Sequence, residues 1–74
     1  MTASDISRII HSYQQNPDVA GVLSTGQRIA LAIAMCDASL LPPGYERPID
    51  AWRRLPPAEF AAIQEGVLLS AVAA

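Results

Sequence analysis

Ser24-Thr25-Gly26-Gln27-Arg28-Ile29-Ala30-Leu31-Ala32-Ile33-Ala34-Met35-Cys36 is the stretch on which the fold turns. From Ile29 to Cys36 no side chain is polar, and no other part of the chain is as continuously apolar. A run of this length reads either as a buried strand or as a buried helix. The residues before it decide. Ser24 followed three positions later by Gln27 is a capping box, in which each residue's side chain bonds the other's backbone N–H. Alternating alanine and the lack of valine point the same way. The spacing predicts a central apolar helix over about residues 25–38, closed by Asp37-Ala38-Ser39 and then Pro42-Pro43. Met35 and Cys36 are expected to be buried with it.

The flanking segments are helical in pattern too. Residues 4–15 place Ile6, Ile9, Ile10 and Tyr13 at i, i+3, i+4 and i+7, one stripe of an amphipathic helix. Ser4 reads as its N-cap and Asp5 as a first-turn acid favoured by the helix dipole. His11 falls about 140° from Ile6, off the stripe and towards solvent. Asn16-Pro17 ends this helix, since a residue before proline is pushed out of the helical region. Residues 17–23 then form a short turn begun by Pro17, with Val19, Val22 and Leu23 as its apolar side. After the Pro42-Pro43-Gly44-Tyr45 turn, Pro48 opens a helix to Leu55 with Ile49, Trp52 and Leu55 expected inside. Asp50 and Arg54 are spaced for an i, i+4 ion pair on its outer side.

The last helix runs from about Pro57 towards Val72. Phe60, Ile63, Val67 and Ala71 make its stripe, while Leu69 projects from the opposite side and Leu68 and Val72 fall between. Gly66 reads as a weak point at which the helix bends or frays. The sum is an all-α fold, a bundle of four to five short helices around the central one, in a single domain over residues 1–74.

Composition narrows the functions. The 74 residues are 51% hydrophobic, but 13 of them are alanine, which favours helix and buries little area. A core this light gains from association. Net charge is −2 and every base is arginine. A nucleic-acid binder normally carries a positive surplus, because phosphate contacts supply most of its affinity. The single cysteine forms no internal disulfide. No leader pattern or membrane-length apolar run is present, so a cytoplasmic protein is expected.

Catalytic chemistry is not expected, because it has no residues to work with. Cys36 in the apolar run and His11 on a polar face do not make an activated nucleophile. One His and one Cys fall short of a zinc set, and the acids are scattered singly, so neither metal nor cofactor is expected. A helix-turn-helix would need polar side chains along its recognition helix, and after Gln27 and Arg28 this one turns apolar.

The segments Ser24 to Ala32, Leu40-Leu41-Pro42-Pro43-Gly44-Tyr45 and Ala51-Trp52-Arg53-Arg54-Leu55 together resemble short uncharacterised proteins of proteobacterial phages and prophages. The matching positions are caps, core and turns, so the resemblance carries no functional residues. It implies a small accessory protein that binds and inhibits or redirects a bacterial machine, such as a CRISPR effector or the transcription apparatus. The sequence expectation is therefore a non-enzymatic protein-binding module whose partner is a bacterial host protein or complex. Its expected contact residues are Arg47, Arg53, Glu59, Leu68 and Leu69. A homodimer through the C-terminal helix is a further expected association. The second reading is a small nucleic-acid-binding regulator using the Arg47–Arg54 surface.

Overall fold

Side-chain hydrogen bonds set where two of the helices begin, and prolines open the other two. In a computed structural model, which describes the backbone of residues 1–73 and the side chains of residues 1–71, four α-helices and two 3₁₀ turns follow one another. The helices are α1 (Ala3–Gln15), α2 (Thr25–Ala34), α3 (Pro48–Arg54) and α4 (Pro57–Ala73). The 3₁₀ turns, Pro17–Val22 and Ala38–Leu40, flank α2. The fold is all-α.

The predicted capping box starts α2. Ser24 Oγ accepts from the Gln27 N–H at 3.2 Å, and Gln27 Oε1 accepts from the Ser24 N–H at 3.0 Å. A second box, unrecognised in the sequence, starts α1 two residues before the expected Ser4. Thr2 is the N-cap: its hydroxyl accepts from the Asp5 N–H, and Asp5 Oδ2 accepts from the Thr2 N–H at 3.0 Å. Aspartate at the third helical position plays the part usually given to Glu or Gln. The Thr2 backbone N–H first, and then its hydroxyl, hold the Asp5 carboxyl below its ordinary pKa. A carboxyl with a lowered folded pKa stabilises the fold above its unfolded value of about 3.9 and loses that contribution as pH falls through the folded value. Asp5→Asn is thus expected to lower the melting temperature at neutral pH, with the gap to the parent closing below about pH 4. A gap that is constant with pH would refute the assignment.

The central helix stops earlier than its composition suggests. Cys36 has φ +52°, its N–H donates to the Ile33 carbonyl, and the Asp37 N–H donates to the Ala32 carbonyl at 3.0 Å. This pair of bonds is a Schellman stop with Cys36 at the left-handed position that glycine usually fills. Helix α2 ends at Ala34, not near residue 38, and Cys36 is exposed rather than buried. A β-carbon in this conformation costs about 1 kcal/mol or more. Cys36→Gly should therefore stabilise the protein by about 0.5–1 kcal/mol in urea unfolding, part of the relief being offset by a freer unfolded chain.

Ile6, Ile10, Ile29, Leu31, Leu40, Leu41, Leu55 and Ile63, with Ala20, Ala30, Ala32 and Ala51, form one core. Ile6, Ile29 and Leu31 are its largest fully buried side chains. In the first 3₁₀ turn the buried residue is Ala20, while Val22, expected inside, is 81% exposed. The turn is too tight to carry a 3.6-residue stripe. Arg28 crosses from α2 to the second turn, its Nε donating to the Leu40 carbonyl at 2.8 Å. In the Pro42–Tyr45 turn, Gly44 takes φ +90° and the Tyr45 N–H donates to the Pro42 carbonyl, as in a type II turn.

Helix α4 packs chiefly along α1. Gly66 is buried at the crossing, where an added methyl would collide with the Ile6 side chain and come within 3.0 Å of the Ala3 carbonyl oxygen. The helix does not break at Gly66 but runs without interruption from Pro57 to Ala73. Glycine stands there because two backbones meet there. The buried side of α4 is consequently Ile63 and Gly66, with Val67 and Ala71 outside it. The Val72 side chain lies outside the described residues. No helix among the described residues is long and apolar enough to cross a membrane.

Candidate functional site

Helix α3 has only two turns, and on so short a helix the apolar stripe can settle in more than one phase. Pro48, Ala51, Trp52 and Leu55 lie on one side at i, i+3, i+4 and i+7. Ala51 and Leu55 are buried. The single carbon of Ala51 lets α3 approach the core closely, and this leaves the larger neighbour on the rim. Trp52, expected inside, is 54% exposed, and Ile49 is exposed as well.

Trp52 is nevertheless held in place. Its ring stacks on Phe60 of α4 with centroids 4.4 Å apart and planes inclined by 29°. Such pairs contribute about 0.5–1.5 kcal/mol beyond the area they bury. Beside the indole lies an apolar notch of about 270 Å³. Ile33 and Cys36 from the end of α2, Leu41, and Pro48, Ala51 and Trp52 of α3 form its walls. Asp37 also touches the notch, but its Oδ1 already accepts from the Ser39 N–H and hydroxyl at 3.0 and 2.6 Å. The Schellman stop creates this opening by turning the chain away directly after Ala34.

The charged side chains of the described residues are unevenly engaged. Arg8 pairs with Asp5 at 3.1 Å, and Arg28 is bonded to the Leu40 carbonyl. Arg47, which caps α3 without a side-chain bond, stands 3.9 Å from Asp50. That contact replaces the expected Asp50–Arg54 pair. Arg53 and Arg54 are exposed and have no ion-pair partner among the described residues. Both sit in the last turn of α3, where the helix dipole favours cations but leaves the guanidinium donors free. Glu46, nearby, has its carboxyl held below its ordinary pKa by its own backbone N–H and then that of Gly44.

No known protein family, curated protein or solved structure matches the chain.

Of the residues expected to make contacts, Arg47 precedes the wall residue Pro48 and Arg53 follows the wall residue Trp52 in sequence, and neither lines the notch. Glu59 does not. Its Oε1 accepts from the Met1 amine at 3.0 Å, and the side chain is largely covered. Leu68 and Leu69 are 63% and 47% exposed on the other flank of the molecule, along α4. Leu69 also borders an open groove of about 900 Å³ between α1 and α4, where Ser7, His11 and Gln14 lie. His11 and Cys36 thus open onto different depressions. No cluster of metal-ligating side chains occurs among the described residues. The notch walls other than Trp52 went unnoticed in the sequence, and Cys36-Asp37-Ala38-Ser39 was their only trace. It is a helix stop with no glycine, followed by an Asx-type turn.

Proposed function

We propose that the chain is a non-enzymatic protein-binding module and that it engages its partner through the Trp52 notch. One observation carries this reading: a half-exposed tryptophan, stacked on Phe60, overhangs an apolar cleft. Tryptophan and arginine dominate the energetics of protein interfaces, and a ring already fixed in place loses little entropy on binding. The resemblance to phage and prophage proteins supports a bacterial host complex in the host cytoplasm as the partner, its activity inhibited or redirected by the bound chain. The exposed Leu68 and Leu69 offer a second surface for self-association through α4.

Affinity capture from bacterial lysate tests the proposal. The parent protein and its Leu68→Asp variant are expected to retain the same host protein, and Trp52→Ala and Arg53→Glu to lose it. Capture that survives both α3 substitutions but fails with Leu68→Asp would move the binding surface to α4. Retention of nucleic acid alone, released steeply by salt, would reject protein binding in favour of a nucleic-acid regulator.

A further inference from the structure

We infer that the notch receives one lysine or arginine side chain of the partner protein, its alkyl stem against the apolar walls and its charged head beside Asp37 and Trp52. The inference rests on the protein-binding reading and adds the chemistry of what is bound. Size limits the occupant. At about 270 Å³ the notch lies below the roughly 300–1,000 Å³ of small-molecule pockets, which suits a single side chain and not a whole ligand. Ala32, Ile33, Leu41, Pro48 and Ala51 give that side chain an apolar lining.

Charge sets the sign of the occupant. Asp37 is the one charged residue that lines the notch, and none of the five arginines of the chain does. Along α3, Arg53 and Arg54 project about 145° and 115° from the side formed by Pro48, Ala51 and Trp52, at about 100° per residue. Arg47 is drawn to Asp50, which projects about 155° from that side. Contacts that these arginines make with a partner therefore lie outside the notch. Asp37 itself is half-buried, and its Oδ1 is engaged by the Ser39 N–H and hydroxyl. Its Oδ2 has no hydrogen-bond or ion-pair partner among the described residues. A purely apolar plug would strip water from that charged group and return nothing, and an acidic one would add repulsion. A cationic head replaces the lost water. It gains further from the indole, the aromatic ring that cations favour most. Trp52 stays 54% exposed with Phe60 stacked on it, so its ring remains open to such a contact. Long basic side chains bury their stems and keep their heads near water, which matches apolar walls carrying a single carboxylate. The net charge of −2 steers a basic segment towards the protein as a whole.

Selection of random displayed dodecapeptides against the whole protein provides the test, read afterwards by the emission of Trp52, the only tryptophan in the chain. Enriched peptides should share a lysine or arginine, and synthetic copies should shift the Trp52 emission saturably. Replacing that residue by norleucine, which keeps a stem and removes the charge, should cost at least tenfold in affinity. Asp37→Asn is the matching change in the protein, since its amide oxygen still accepts from Ser39 and the turn is kept. Against Asp37→Asn the basic peptide should bind about tenfold more weakly and the norleucine copy about as well as before, the mark of a direct pairing. Enriched peptides with an uncharged apolar anchor, indifferent to Asp37→Asn, would overturn the cationic occupant and leave protein binding at the notch standing. Tetramethylammonium binding as tightly as the best peptide would overturn it in favour of a small free cation. Bead capture of the enriched peptides that is indifferent to Trp52→Ala, or selection that yields no peptide able to shift the Trp52 emission, would overturn both.

Discussion

Gly66→Ala is expected to destabilise the protein by about 2 kcal/mol, although alanine is the better helix former by about 1 kcal/mol. The sign follows from what the new methyl meets. It would overlap the Ile6 side chain and crowd the Ala3 carbonyl oxygen at 3.0 Å, so relief requires α1 and α4 to separate along their main contact. Overpacking of this kind costs about 1–3 kcal/mol, occasionally more, and here the obstacle is close to backbone on both sides. For a domain of this size 2 kcal/mol lowers the melting temperature by roughly 8–16 °C, easily followed by circular dichroism. Adding Ile6→Ala should bring no rescue. Alanine keeps the β-carbon that obstructs, and it also opens a cavity in the core, so the double variant should be weaker than either single one. A Gly66→Ala protein as stable as its parent would show that the two helices do not cross at glycine.

Leu31→Ala should have the largest effect of any single truncation, about 2–5 kcal/mol, as expected for a leucine that is fully buried among Ile6, Ile29 and their neighbours. A chain of 74 residues has roughly 4–11 kcal/mol of total stability, so the loss is a large fraction of the whole. The urea midpoint should fall steeply with an unchanged slope, the mark of lost stability without a changed denatured state. Ile33→Ala, two positions on, should cost less because Ile33 is partly exposed at the notch. Equal losses at 31 and 33 would mean that α2 is buried all round and that the notch is closed.

The fold was legible wherever a signal was local. The Ser24–Gln27 box, the Ile6 and Ile10 stripe and the Pro48 and Pro57 starts each depend on residues within one or two turns of each other. Where the outcome depended on a distant partner, the same sequence misled. Gly66 looks like a weakness until α1 is laid against it. Trp52 looks like core because Ile49, Trp52 and Leu55 fit a stripe, yet on two turns of helix Ala51 fits equally well and lets α3 come closer. Cys36 looked buried because it continues an apolar run, and hydropathy carries no information about a left-handed stop. These last two errors hid the candidate site together, since the notch exists only where α2 ends early and Trp52 stays on the rim. Arg47 and Arg53 stand out in the sequence as members of a basic cluster, but the cleft beside their neighbours does not.

The pairing of α1 with α4 also governs when this protein can exist. Ile6 and Gly66 stand almost a full chain apart, so the principal contact closes a loop whose entropy has to be met before any of its packing is gained. On the ribosome, at about 5–20 residues per second, α1 emerges roughly 3–12 s before its counterpart. Throughout that interval the Ile6 and Ile10 stripe has no α4 to cover it. A nascent chain stalled before Gly66 should accordingly be open to chaperones and proteases along its first helix, and should become resistant only when the last helix is released.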